Sequence, residues 1–304
     1  MSPDLTWEQQ MVFLRVLAAG VVLVALIDFT LIVAYALRRQ RTLTAYGPPT
    51  FASRWSLVDV WIAAHVFVAG MIPVAIGVVI ILMIAFGSST NLVNPKGPGL
   101  IAALILGMIG QTALMIGIPV FFITQKYRIS LPRIGFRWPP SGAEIRKGML
   151  FGLGMMLLSA GLQIALMAAL NRTVGPEGTQ ELKDVTSKIV AERLLKDNAG
   201  PAMLITLLLV AGVMAPLSEE LFFRGFLYNA AKHRLGIVPG IILSALVFAL
   251  VHIGPLAVIG IIPMGVLLAL AYEKSGSLWV PIMMHATNNI LAVTLTYLMP
   301  DLGI

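Results

Sequence analysis

Long apolar stretches separated by short polar ones run along most of the chain. They fall near residues 11–37, 58–86, 100–124, 149–171, 201–231, 240–254, 255–273 and 277–299. Most approach or exceed the roughly 20 residues that carry a helix across a hydrocarbon core of about 30 Å. The pattern predicts an all-α, polytopic membrane protein with about eight transmembrane helices. The sixth and seventh stretches are short and only Gly254-Pro255 separates them. They read either as two spans or as one broken or re-entrant unit. In the loop 172–200, Leu182, Val185, Ile189 and Leu194 recur at rough helical spacing, which predicts a short amphipathic helix on the outer surface.

Composition agrees with this reading. Of 304 residues, 58% are hydrophobic and only 12% charged. A soluble domain carries about twice that charge. The absence of cysteine excludes disulfides, thiolate metal sites and a cysteine nucleophile. The net charge of +7 does not imply nucleic acid, because the charges lie in short clusters between apolar stretches. The N-terminus starts with Asp4 and Glu8 and leads into a long apolar run, unlike a cleavable signal peptide.

The basic residues set an orientation. Arg38, Arg39, Arg41 and Arg54 follow the first stretch, and Lys126, Arg128, Arg133, Arg137, Arg146 and Lys147 follow the third. Lys232, His233 and Arg234 end the fifth, whereas the second loop has only Lys96. The positive-inside rule puts the odd-numbered loops in the cytoplasm and the N-terminus outside, with the cell membrane as the expected location. Gly148-x-x-x-Gly152 and Gly236-x-x-x-Gly240 offer close helix contacts.

Ionisable residues inside these stretches cost roughly 2.5–3.5 kcal/mol each and persist when paired or used. Glu219, Glu220 and Arg224 lie together in the fifth stretch. Glu220 and Arg224 have the i,i+4 spacing and polarity of a helical ion pair. Glu219 points about 100° away and has no partner on its own helix. Phe248 and His252 share one face of the sixth stretch, and His285 and Asn289 one face of the eighth. Counted from the cytoplasmic ends at 1.5 Å per residue, all these polar groups lie roughly 12–20 Å deep and can converge. Pro216, three residues before Glu219, removes a backbone hydrogen bond beside them, although prolines are ordinary in membrane helices.

Glu219-Glu220-Leu221-Phe222-Phe223-Arg224 resembles the EExxxR motif of the CAAX-processing and bacteriocin-processing family of intramembrane endopeptidases. Phe248 to His252 resembles its FxxxH motif, and His285 to Asn289 its HxxxN motif, in the family's order. The resemblance covers about residues 201–299. It implies a membrane-embedded protease-like domain over 100–304, with its motifs in 216–290. Residues 1–99 would be membrane helices added to the shared core. The implied activity is hydrolysis of peptide bonds in membrane-associated or lipidated proteins. Eukaryotic members of the family remove the last three residues of prenylated proteins.

Amide hydrolysis needs an activated water, a stabilised oxyanion and a proton for the leaving amine. The resemblance implies that Glu219 activates the water and His252 helps to hold it. His285 and Asn289 would face the oxyanion, while Glu220 and Arg224 fix the geometry. Phe248 would shape the pocket by packing. Glu219, His252 and His285 also make a possible zinc ligand set. No HExxH pair is present, and the amide of Asn289 suits an oxyanion better than zinc, so a metal-free mechanism is favoured. Asp28 and His65 match no motif and read as packing or lumen-facing residues. Two other classes remain: a non-catalytic scaffold or immunity protein of the same fold, and a proton-coupled transporter. The first would lose a motif residue, and none is lost. The second should show inverted repeats, and none is evident.

Overall fold

The computed structural model describes residues 55–86, 98–179, 200–252 and 255–299. The chain divides into two compact units, Met1–Phe51 and Ala52–Ile304, and all described residues lie in the second. The helix expected at 11–37, Asp28 and the amphipathic helix expected over 182–194 lie outside the described residues.

Apolar runs become helices because a helix satisfies every backbone N–H and C=O within one segment. The described residues form α1 (Leu57–Phe86), α2 (Pro98–Val120), α3 (Gly142–Thr173), α4 (Pro201–Leu235), α5 (Ile237–Leu250), α6 (Pro255–Ser275) and α7 (Trp279–Leu298). No strand occurs among them. Leu57–Ala85, Ile101–Lys126, Gly142–Thr173 and Pro201–Leu235 are each long and apolar enough to cross a membrane. The protein is an all-α polytopic membrane protein.

Two boundaries differ from expectation. α3 begins at Gly142 rather than near 149, because Ser141 and Glu144 form a reciprocal cap. Ser141 Oγ accepts from the Glu144 N–H at 3.2 Å, and Glu144 Oε2 accepts from the Ser141 N–H at 2.7 Å. The cap carries Arg146 and Lys147 into the helix, although their charge marks them as loop. α5 ends at Leu250 rather than 254. Its 14 residues reach about 21 Å, short of a full crossing. His252 therefore sits where α5 stops inside the bundle.

α4 is the central element. Its segment Leu221–Tyr228 is buried along its whole length. Phe226 packs with Phe222, with Phe122 of the π-type turn after α2 and with Trp55, whose Nε1 donates to the Phe226 carbonyl at 2.8 Å. α1 and α3 instead present Ile72, Ile84, Leu150 and Ile164 outward, as lipid-facing helices do.

Polar latches close one end of the bundle. Lys126 pairs with Asp59 at 2.6 Å, tying the turn after α2 to the start of α1. Lys232 pairs with Glu273 at 2.6 Å, tying α4 to α6. Tyr272 donates to the Ile134 carbonyl at 2.9 Å, and Leu278 N–H to the Gly135 carbonyl at 3.1 Å. The segment between α2 and α3 is thereby seated on the ends of α6 and α7. Gly135 has φ 81° at this contact, and a Cβ there would meet Gly276 and Ser277.

α3 meets α7 through the Gly148/Gly152 spacing. A Cβ at Gly148 would lie 2.7 Å from the Val280 carbonyl, and one at Gly152 would lie 2.6 Å from the Met284 carbonyl. The missing side chains let α7 approach α3 closely, and α7 carries His285.

Candidate active site

Four helices bring the motif residues together at the inner end of α5. Glu220 and Arg224 are fully buried and make the ion pair expected of their spacing, Nη1 to Oε1 at 2.8 Å. Arg224 Nη2 also donates to the Gly265 carbonyl of α6 at 3.0 Å, and its guanidinium lies 4.5 Å from the Phe248 ring centre. Arg224 thus joins α4, α5 and α6. A buried guanidinium needs such partners, because each unpaired charge in this environment is costly.

His285 of α7 completes the charged core. Its Nδ1 lies 2.9 Å from Glu220 Oε1, the oxygen that Arg224 also binds. A carboxylate paired with arginine accepts, so Nδ1–H donates and Nε2 is turned the other way. Nε2 lies 4.0 Å from Glu219 Oε2.

His252 is arranged in the same sense. Its Nδ1 lies 2.7 Å from the Phe248 carbonyl, one turn back on its own chain. A carbonyl only accepts, so this nitrogen donates. Its Nε2 lies 3.9 Å from Glu219 Oε2. Phe248 does more than fill space: its carbonyl fixes the His252 tautomer, and its ring packs on Arg224, His252 and His285.

Both histidines therefore direct Nε2 at one oxygen of Glu219. That oxygen is buried and has no hydrogen-bond partner among the described residues. The 3.9 and 4.0 Å separations are too long for direct hydrogen bonds and suit a water at about 2.8 Å from each group. The Glu219 side chain is 13% exposed and that of His252 is 32% exposed, so the opening lies on the His252 side.

These three residues have the donor chemistry of a zinc site, but not its spacing as placed. Tetrahedral zinc with ligands at 2.0–2.1 Å holds them about 3.3 Å apart. Among the described residues, no group of three His, Asp or Glu side chains stands close enough to hold a metal ion.

Asn289, one turn beyond His285, does not join this cluster directly. Its Nδ2 donates to the Ala211 carbonyl of α4 at 2.8 Å, and its Oδ1 accepts from Asn288 at 3.3 Å. His65 stands on α1 with Nδ1 against the Trp61 carbonyl at 2.9 Å. The Gly265 and Ala211 carbonyls are site components that side-chain patterns do not reveal. A backbone acceptor belongs to every residue type, although Pro216 signals that some carbonyl upstream lacks its usual donor.

Residues 201–291 match the Rce1-like family, type II CAAX prenyl endopeptidases. The matched segment contains all six site residues, and the resemblance carried by the three motifs holds there. The chain is also similar to "Putative membrane peptidase YdiL" of Bacillus subtilis (strain 168), 26% identical over 117 residues. That similarity covers 38% of this chain and 42% of the relative. The chain thus spans less than half the length of the curated relative it matches. No solved structure matches the chain. Outside the matched segment, α1 and α2 pack against α4, and α3 packs against α7 and α6.

Proposed function

We propose that the chain is an intramembrane endopeptidase in which Glu219 activates the attacking water. The observation that carries this reading is the convergence of two imidazole Nε2 atoms on one unpartnered oxygen of Glu219. A water there gives one hydrogen to Glu219 and the other to His252. Glu219 takes a proton as the water oxygen attacks the substrate carbonyl carbon. The resulting oxyanion faces the Nε2 edge of His285, which stabilises it when that nitrogen carries a proton, while Nδ1–H stays on Glu220. Glu219 then passes its proton to the leaving nitrogen as the C–N bond breaks. Glu220 and Arg224 hold the arrangement and take no proton. The amide of Asn289 is engaged with the Ala211 carbonyl, so in this reading the oxyanion is served by His285.

The substrate in this reading is a peptide or protein associated with the bilayer, with a lipidated C-terminal peptide of the CAAX type as the specific case. The site opens beside His252, roughly 20 Å from the Lys232 end of α4 along the helix rise. The reading puts that end in the cytoplasm of a cell-membrane protein, with the N-terminus outside.

The test is cleavage by purified protein in liposomes, with a prenylated and an unprenylated membrane-anchored reporter. Wild type should cleave at least one. Glu219→Gln should cleave neither while keeping the wild-type thermal midpoint. Cleavage by Glu219→Gln at the wild-type rate would sink the proposal. The same inactive variant, used as a trap in cells, should retain the natural substrates for identification by mass spectrometry.

A further inference from the structure

We propose that Asn289 is a positioning residue for Glu219: its side-chain amide replaces the backbone N–H that Pro216 lacks, and so holds the wide turn just before the short helical segment that carries Glu219. The proposal rests on the protease reading for its activity measurement, and on the fold alone for its stability measurement.

The argument begins with the helix register. Residues Val210–Met214 of α4 form a wide, π-type turn, and the Ala215 N–H reaches back five residues to the Val210 carbonyl. The next bond in that register would run from the N–H of residue 216 to the Ala211 carbonyl. Residue 216 is proline and has no N–H. An unsatisfied carbonyl is costly at membrane depth, where no bulk water replaces the lost donor. Asn289 Nδ2 supplies the donor, 2.8 Å from that carbonyl. Its neighbour Ile290 packs on the same turn, since a Cβ at Gly212 would fall 2.6 Å from Ile290 Cγ1. α7 therefore docks on residues 211–212 through two adjacent side chains.

The second wide turn of α4, Leu221–Tyr228, has the same remedy. Asn229 Nδ2 lies 3.1 Å from the Arg224 carbonyl and 2.9 Å from the Gly225 carbonyl. An asparagine thus serves each wide turn, and Glu219 and Glu220 lie on the short α-helical segment between them, Ala215–Glu220. Asn289 is also one turn from His285. Its bond to Ala211 fixes α7 against α4 and with it the distance from His285 Nε2 to Glu219.

The experiment is a double-variant cycle of Asn289→Ala and Pro216→Ala. Alanine at 216 restores the backbone donor, whether the turn stays wide or reverts to an ordinary α-helix. In the natural background, Asn289→Ala should lower the cleavage rate about tenfold or more, the effect of one unsatisfied buried carbonyl. In the Pro216→Ala background the same change should cost less than about threefold, the residue of an exchanged hydrogen bond. The drop in thermal midpoint caused by Asn289→Ala should shrink in parallel. An equal loss of rate in both backgrounds would overturn the proposal and assign Asn289 to the oxyanion. An equal drop in midpoint would overturn the Pro216 pairing. If no reporter is cleaved even by wild type, the protease reading fails while the midpoint cycle still decides the pairing. If Asn289→Ala does not accumulate, its recovery by Pro216→Ala supports the pairing, and Asn289→Ser provides the milder variant for the rate cycle.

Discussion

His285 gives Nδ1 to Glu220, at 2.9 Å, and keeps Nε2 for Glu219. Two adjacent glutamates on one helix therefore meet opposite edges of a single imidazole. Glu220 is consumed by structure, since Oε1 serves both Arg224 and His285. Glu219 faces the other edge, where the proposed mechanism uses it. Exchanging the two roles would require turning α4 by about 100°, the angle between successive residues of a helix.

Arg224 is the residue whose loss should cost most in stability. Arg224→Ala strands the Glu220 charge with His285 alone and breaks the tie to Gly265. Removing one partner of a buried pair costs about 3–5 kcal/mol. Arg224→Lys should recover part of this, because an ammonium can meet Glu220 but does not reproduce the second arm that reaches the Gly265 carbonyl. Thermal unfolding in detergent is the measurement. A wild-type midpoint for Arg224→Ala would contradict the buried-pair account.

The seam between α3 and α7 should be intolerant of volume. Gly152→Leu drives a side chain into Met284 and Thr287, one residue before and two residues after His285. Overpacking of this kind costs roughly 1–3 kcal/mol or more. Displacement of α7 should lower kcat as well as stability. Gly154→Leu is the control, because a Cβ there meets nothing within 4 Å. Equal activity of the two variants would show that the seam does not set the position of His285.

Helices α1–α7 were legible in the sequence because long apolar runs and basic loops are properties of contiguous residues. The convergence of Glu219, Glu220, Arg224, His252 and His285 was legible for a related reason: spacings of four mark a helix face, and depth follows from distance to the helix end. The start of α3 is not legible from charge, because Arg146 and Lys147 read as loop while the Ser141/Glu144 cap draws them into the helix. The partners of Arg224 at Gly265 and of Asn289 at Ala211 were not legible. Both are backbone carbonyls on other helices, and no residue type identifies them. The weight of Gly148 and Gly152 was hidden as well, since glycine spacing alone does not say which helix approaches.

Orientation can be read chemically on a chain without native cysteine. Arg137 lies in the segment before α3, and Glu177 just beyond its far end. Both are exposed, and the 32-residue helix between them is about 48 Å long. The basic-residue asymmetry predicts that Arg137→Cys reacts with an impermeant thiol reagent only from the cytoplasm, and Glu177→Cys only from outside. Labelling of both from one side would mean that α3 does not cross.

The last prediction concerns zinc. Each histidine is held as a metal-ligating histidine would be, with Nδ1–H on a carboxylate or a carbonyl and Nε2 turned inward. The same arrangement serves a water clamp. The 3.9 and 4.0 Å separations favour the clamp, since a closed zinc shell needs its ligands nearer 3.3 Å. Closing the shell would draw His285 toward Glu219 and away from Glu220, whose Oε1 it shares with Arg224. Zinc binding would therefore weaken the buried core that holds α4 to α7, whereas a water leaves it intact. Purified active protein should accordingly contain far less than one zinc per chain by elemental analysis. Cleavage should persist after chelation long enough to empty slowly exchanging sites. Added zinc should compete with the catalytic water and slow the reaction, and Glu219→Gln should bind added zinc more weakly by calorimetry. Stoichiometric zinc whose removal abolishes cleavage and whose return restores it would overturn the metal-free mechanism and make His252 and His285 ligands.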